Sequence, residues 1–354
     1  MDPENRRDAT RADVEAYYET GSGAEVTLRE NEAAWSALRF RPHVLRDVGT
    51  VTTRTTLFGA TLDVPIGIAP SALHGLAHPE GECATARAAN ASGTLFVLSM
   101  RSSRSVEEVA AAAGGAPWWY QVYATVDRSV ALRLAANASA AGAQALVLTG
   151  DTPLVARKRR AFPGVVPIRA HVANLRHRLT PPPTASDIRQ DPTVTPSFIA
   201  ELAKATGLPV LVKGVVRGDD ADRLIAAGAA GIVVSNHGGR QLDRTVATAD
   251  ALPEVVVAVA GRVPVLVDGG IRTGGDVLAA LCLGADAVLV GRPVLRALGR
   301  GGEAEVTRLL HGLQQELAEA LALAGVRSPA ETSPDMVRVS PRPLGRAALP
   351  QRLS

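Results

Sequence analysis

His237 and Arg240 lie in the stretch Val-Val-Ser-Asn-His-Gly-Gly-Arg-Gln-Leu-Asp, residues 233–243, and their types and spacing suit the handling of a small acid. An imidazole moves protons near neutral pH, and a guanidinium grips a carboxylate through two parallel hydrogen bonds. The apolar run 231–234 stops abruptly just before them, which is the pattern of a buried strand emptying into a polar site. Taken alone, the pair reads more readily as a strand cap and a solvated cation. The decision therefore rests on the elements that position them.

From residue 66 onward, short β-branched runs alternate with Ala-rich helical segments. Strands are expected at 66–69, 95–99, 119–123, 145–149, 210–213, 231–235, 265–268 and 287–291, each followed by a helix. Helix starts are marked by Pro79 with Glu80 and Glu82, by Ser105 three residues before Glu108, and by Asp219-Asp220. Eight such pairs predict an α/β fold, a (β/α)8 TIM barrel, rather than a doubly wound sheet. Residues 8–40 read as helical around a Gly21-Ser22-Gly23 break, within an N-terminal helical extension over 1–60. Residues 151–196, rich in Arg, His and Pro, form a lid-like loop after the fourth strand. A final helix is expected over 303–324 and an extended tail over 340–354, so that 1–354 is one barrel domain.

Chemistry in such a barrel gathers at the C-terminal ends of the strands. In order, those ends offer Pro70-Ser71-Ala72, Ser99, Gln121 with Tyr123, Thr149 with Asp151, Lys213, Ser235 with His237 and Arg240, Asp268 with Arg272, and Gly291-Arg292. Each has a bland explanation singly, but eight in succession do not. The glycines and arginines of 268–276 and 290–293 fall where barrels bind phosphate, and they match neither a Rossmann fingerprint nor a Walker A loop. A phosphate there, with Lys213, Gln121, Thr149 and Ser99 available to a polar ring system, describes a flavin mononucleotide site.

Composition agrees with a soluble enzyme. With 46% hydrophobic and 21% charged residues the 354-residue chain can bury a large core, and a net charge of +3 leaves no nucleic-acid footprint. No apolar run reaches the length of a membrane span, and the N-terminus lacks an apolar signal region, so a cytoplasmic protein is expected. Cys83 and Cys282 read as small core residues in a reducing compartment, and no metal is implied.

The motifs Ser-Asn-His-Gly-Gly-Arg-Gln-Leu-Asp, Leu-Val-Lys-Gly, Asp-Gly-Gly-Ile-Arg, Gly-Arg-Pro, Ile-Ala-Pro-Ser-Ala, His-Pro-Glu-Gly-Glu and Thr-Leu-Arg-Glu-Asn resemble the FMN-dependent 2-hydroxy-acid oxidase and dehydrogenase family. This resemblance spans about residues 17–326 and implies an FMN-binding barrel that oxidises an (S)-2-hydroxy acid to the 2-oxo acid. It implies His237 as base, Asp151 orienting it, Arg240 as carboxylate clamp, and Tyr123 and Tyr17 as further substrate ligands. It places Lys213 beside the flavin ring, Pro70, Ser71 and Ala72 on its N5 side, and Ser99, Gln121 and Thr149 on its polar edge. Asp268, Gly270, Arg272, Gly291 and Arg292 hold ribityl and phosphate, Ser235 adjoins the cofactor, and the assembly implied is a homo-oligomer, a tetramer.

Two departures from the family stand out. Lys158 falls where a second carboxylate-binding Arg is usual, and Met100-Arg101 follows Ser99 where glycolate oxidase has an aromatic two residues on. Both put ordinary glycolate oxidation in question and place Lys158 and Arg101 at the substrate. Residues 172–191 are too polar and proline-broken to bury in lipid, unlike the apolar stretch of membrane-bound relatives, which favours oxygen as acceptor and hydrogen peroxide as product. The alternatives are a dehydrogenase with another acceptor, another FMN barrel enzyme such as an isomerase acting on a diphosphate, and a flavin-binding protein without turnover.

Overall fold

The computed structural model describes residues 11–158, 172–174, 184 and 186–339; half of the lid-like loop and the whole 340–354 tail lie outside them. Eight parallel strands close into a barrel: β1 (Ile66–Ile68), β2 (Leu95–Ser99), β3 (Trp118–Tyr123), β4 (Leu146–Thr149), β5 (Val210–Val215), β6 (Gly231–Val234), β7 (Val265–Val267) and β8 (Ala287–Val290). Closure is made by β8 on β1, with Val290 opposite Ile68. Each strand is followed by a helix: α1 (Gly81–Ala91), α2 (Val106–Ala113), α3 (Arg128–Ala140), α4 (Ser197–Thr206), α5 (Gly218–Ala226), α6 (Thr248–Val259), α7 (Gly274–Cys282) and α8 (Arg292–Ala324). This is the (β/α)8 barrel expected from the alternation.

The strands are apolar on both faces because each face meets a different core. Val97, Trp119, Val147, Leu211, Val233, Leu266 and Leu289 fill the barrel interior. Their neighbours one residue away, among them Phe96, Leu98, Trp118, Tyr120, Ile232 and Val288, pack outward with the helices. Ser105 caps α2 as its spacing predicts: its hydroxyl accepts from the Glu108 N–H at 3.2 Å while its own N–H donates to the Glu108 carboxylate at 2.8 Å.

Two expectations need correction. The N-terminal helical reading ends too late, because the second N-terminal helix, Val26–Ala37, gives way at Leu38 to a strand, Leu38–Phe40, that pairs antiparallel with Val337–Val339. The helix expected from 303 is present, and a shorter one starting at Arg292 runs into it across the non-helical pair Gly301-Gly302. Gly302 sits at φ 62°, and a Cβ there would lie 2.9 Å from the His78 ring, so the break serves close packing. Finally, β5 runs past Lys213 to Val215 across a register shift.

The N-terminal segment lies over the barrel mouth rather than beside it. Asn31 and Asn236 exchange a reciprocal pair of amide hydrogen bonds at 2.8 and 2.7 Å, both side chains buried. The Trp35 indole N–H donates to the Gly269 carbonyl at 2.8 Å. The Asp243 carboxylate accepts from the N–H groups of Ala24 and Thr27, at 2.7 and 3.1 Å, where the helix Val26–Ala37 begins. Replacing Asn31 with Ala therefore leaves the buried Asn236 Oδ1 without its donor, while Nδ2 keeps the Val246 carbonyl, and we expect a loss of about 1–3 kcal/mol. Chemical denaturation read by fluorescence checks this, an unshifted midpoint being the contrary result.

Candidate active site

His237 enters the site on a backbone that few side chains tolerate. It sits at φ 57°, followed by Gly238 at 61° and Gly239 at 74°, three successive left-handed residues. Such a conformation costs a non-glycine residue about 1–3 kcal/mol and is seen where the surroundings impose it. Ser235 accepts the His237 N–H at 3.1 Å, and the Gly239 N–H returns to the Asn236 carbonyl at 3.1 Å. The glycines are needed for space as well, since a Cβ on Gly239 would lie 2.7 Å from the Leu28 backbone nitrogen.

The turn delivers the imidazole to Asp151, whose carboxylate oxygens lie 3.0 and 3.3 Å from Nδ1. Burial pushes the Asp151 carboxyl up, but the charge and hydrogen bond of His237, with Lys213 behind them, outweigh it and hold the group below the usual range. An ionised Asp151 accepts the hydrogen bond of Nδ1–H, leaving Nε2 as the basic nitrogen of a ring that lines the cavity. Gly214, at φ 105° in the register shift of β5, makes this pairing possible, because a Cβ there would sit 2.5 Å from the Asp151 Cβ.

A cavity of about 430 Å³ opens at this end of the barrel. Lys213 projects into it, 3.0 Å from Asp268 Oδ2 and 2.8 Å from the Ser235 hydroxyl. Burial pushes its ammonium toward neutrality, but Asp268 and Asp151 more than compensate, and the net displacement is upward. Arg292 donates through Nε to the Tyr18 carbonyl at 3.0 Å and through Nη1 to the Gly238 carbonyl at 2.9 Å. Burial, then repulsion from Arg240, brings it down to about 10. Arg272 is paired with Glu32 at 2.7 Å.

Arg240 gives its Nη1 to three carbonyls, those of Tyr17, Tyr18 and Thr20, at 3.0, 3.1 and 2.7 Å, and its guanidinium lies 5.5 Å from the Tyr17 ring centroid. One edge of the guanidinium thus anchors the N-terminal segment. Lys158 donates to the Arg240 carbonyl; burial, then Arg240 and Arg292, lower its ammonium to about 8. Tyr17 has its hydroxyl pushed up by burial, against the opposing pull of Arg240 and Arg101, so it stays a proton donor. Arg101 lies 4.6 Å above the Tyr123 ring.

Of the residues singled out from sequence, Pro70, Ser71, Ala72, Lys213, Asp268, Gly270, Arg272, Gly291 and Arg292 line the cavity, with Tyr17, Tyr123, Arg101, Lys158, His237 and Arg240. Ser99, Gln121 and Thr149 do not; they form a buried chain, Ser99 to Gln121 Oε1 at 2.9 Å and Gln121 Nε2 to Thr149 at 2.7 Å. Asn31, Trp35 and Asp243 escaped the residue-by-residue reading, although Asn31 lies in the Thr-Leu-Arg-Glu-Asn motif and Asp243 ends the His237 motif.

The cavity fits FMN on its own chemistry. Asp268 Oδ1 and Arg292 Nη2 are buried with no hydrogen-bond partner among the described residues, an acceptor and a cationic donor. Each such orphan costs about 1–3 kcal/mol, which a ribityl hydroxyl and a phosphate oxygen would offset. A side chain at Gly270, at φ 94°, would lie 2.6 Å from the Asn31 carbonyl oxygen, so that loop can only be backbone.

Comparison with known proteins agrees. Residues 6–339 match the model of the FMN-dependent dehydrogenase family. The chain is 44% identical to an L-lactate oxidase of Nostoc sp. over 87% of this chain and 89% of that protein. It is 44% identical to a peroxisomal (S)-2-hydroxy-acid oxidase of Oryza sativa subsp. japonica over 89% and 88%. Among solved structures, mandelate oxidase with (S)-4-hydroxymandelic acid superposes with a TM-score of 0.83 at 38% identity, covering 94% of this chain and 96% of the other. With the family's model matched over residues 6–339, the chain belongs to the FMN-dependent dehydrogenase family.

Proposed function

We propose that the chain is an FMN-dependent (S)-2-hydroxy-acid oxidase in which His237 is the base and Arg240 the carboxylate clamp. The observation that carries this reading is the charge-paired imidazole, His237 with Asp151, in a cavity shared with Arg240 and Tyr17. A diphosphate isomerase has no use for a base flanked by a carboxylate clamp and a protonated tyrosine.

Arg292 and Arg272 would hold the phosphate of FMN, Asp268 its ribityl chain, and Lys213 the edge of the ring that gains negative charge. When bound, FMN supplies the two-electron acceptor that the polypeptide lacks. Arg240, Lys158 and the Tyr17 hydroxyl would bind the substrate carboxylate, with Tyr123 on the hydroxyl or carboxylate. His237 accepts a proton at Nε2, and Asp151, already ionised, stabilises the imidazolium that results. The substrate loses two electrons and two protons to become the 2-oxo acid, and oxygen takes up two of each to become hydrogen peroxide. Ser99, Gln121 and Thr149 would meet the polar edge of the ring, their mutual hydrogen bonds fixing the orientation of the Gln121 amide.

The reading extends to a homotetramer, as the family resemblance implies, and to one domain spanning the chain. Cytoplasmic residence is proposed with it, on two free cysteines, Cys83 and Cys282, which suit a reducing compartment. Among the described residues, no helix is long and apolar enough to cross a membrane.

Anaerobic mixing of the yellow protein with an (S)-2-hydroxy acid should bleach the flavin, and admitting air should restore it at a rate that supports turnover. Restoration far slower than turnover with an artificial dye would make the protein a dehydrogenase, and no bleaching by any 2-hydroxy acid would end the reading. In the same stopped-flow assay, His237→Asn should retain flavin but slow its reduction by about 10²- to 10⁴-fold, the usual worth of a general base. Reduction at the rate of the unaltered protein would remove His237 from the role.

Lys158 makes the pH dependence specific. Its pKa is lowered, so the charged form is present below about 8 and is lost as pH rises through that value. kcat/KM, which reports the free enzyme, should fall on the alkaline side with this pKa, and Lys158→Arg should move the fall upward. An identical alkaline limb in Lys158→Arg would assign it to another group.

A further inference from the structure

Among the described residues six cations line the cavity, Arg101, Lys158, Lys213, Arg240, Arg272 and Arg292, with two acids, Asp13 and Asp268. Asp268 is matched by Lys213, and Arg272 and Arg292 suit a phosphate dianion. Arg101, Lys158 and Arg240 remain for the substrate, and among the described residues none of the three is ion-paired with a carboxylate.

The three cations are not one cluster. Lys158 is hydrogen-bonded to the Arg240 carbonyl, so these two share a side of the cavity. Arg101 comes from the end of β2, stacked on Tyr123, and among the described residues its guanidinium has neither a carboxylate nor a carbonyl partner. Tyr17 lies within electrostatic reach of both Arg240 and Arg101. Arg101, arriving from the end of β2, and Arg240 with Lys158, arriving from the segments after β6 and β4, offer separate partners to two anionic groups on one small molecule. A guanidinium placed over an aromatic ring still has N–H groups to offer a bidentate partner.

Building on the oxidase reading above, we propose that the substrate is a 2-hydroxydicarboxylic acid whose distal carboxylate is bound by Arg101, while Arg240 and Lys158 take the carboxylate beside the reacting carbon. The chemistry at that carbon is unchanged: two electrons and two protons leave, and a 2-oxodicarboxylic acid forms. Arg101 then sets specificity and takes no part in proton transfer.

The test uses the flavin-loaded protein with two matched pairs, (S)-malate against (S)-2-hydroxybutanoate and (S)-2-hydroxyglutarate against (S)-2-hydroxypentanoate, each differing only by a distal carboxylate for a methyl. At least one diacid should exceed its partner in kcat/KM by about 10- to 100-fold, the worth of a charge-assisted hydrogen bond. Arg101→Met should collapse that ratio, and Arg101→Lys should restore part of it. Calorimetric titration gives a second readout: 2-oxoglutarate should bind more tightly than 2-oxopentanoate, and Arg101→Met should abolish the difference. Monoacids oxidised as well as diacids, or a ratio unmoved by Arg101→Met, would overturn the inference and leave the oxidase reading standing. Failure of all four compounds and of other 2-hydroxy acids to reduce the flavin would overturn both.

Discussion

The left-handed turn His237-Gly238-Gly239 is the constraint on which the site depends. Left to itself, a histidine at φ 57° would relax toward the ordinary β or αR region and the imidazole would leave Asp151. The turn is held from three sides. Ser22 donates its N–H to the Gly239 carbonyl at 2.9 Å, Arg292 donates to the Gly238 carbonyl, and Asp151 holds the ring itself. All three restraints come from outside the β6 segment, and Ser22 belongs to the N-terminal extension. The extension is therefore part of the active site, because it fixes the backbone that aims the base.

The same dependence explains which parts were legible in the chain. The barrel was readable because eight double-faced apolar strands leave a long local record, and strand ends mark the catalytic rim without any knowledge of tertiary contacts. His237, Arg240 and Lys213 were readable for that reason. The Asn31–Asn236 pair was not, since an Asn in a polar helix and an Asn in a loop, 205 residues apart, carry no shared local pattern. Gly214 was quoted only as part of a motif, and its work, clearing room for Asp151, exists only once β4 and β5 are adjacent. The switch from helix to strand at Leu38 likewise depends on a partner strand at Val337–Val339, almost three hundred residues later.

Electrostatics shows what the arrangement costs when no anion is bound. Lys213 and Arg272 have carboxylates, Asp268 and Glu32. Arg292 and Arg240 rely on backbone carbonyls, which satisfy hydrogen-bond geometry but carry no full charge. The strain is visible in Arg292 at about 10 and Lys158 at about 8, both lowered first by burial and then by the repulsion of Arg240. A site with this excess of buried positive charge opposes folding until phosphate and carboxylate arrive, and ligands that bind only the folded form then stabilise it by mass action. The backbone carbonyls of Tyr17, Tyr18 and Thr20 meanwhile pin Arg240 in place, so its orientation does not wait for the substrate. Binding is therefore fed by charge that the fold has already assembled and oriented, and the cost of assembling it falls on the unliganded protein rather than on the catalytic step.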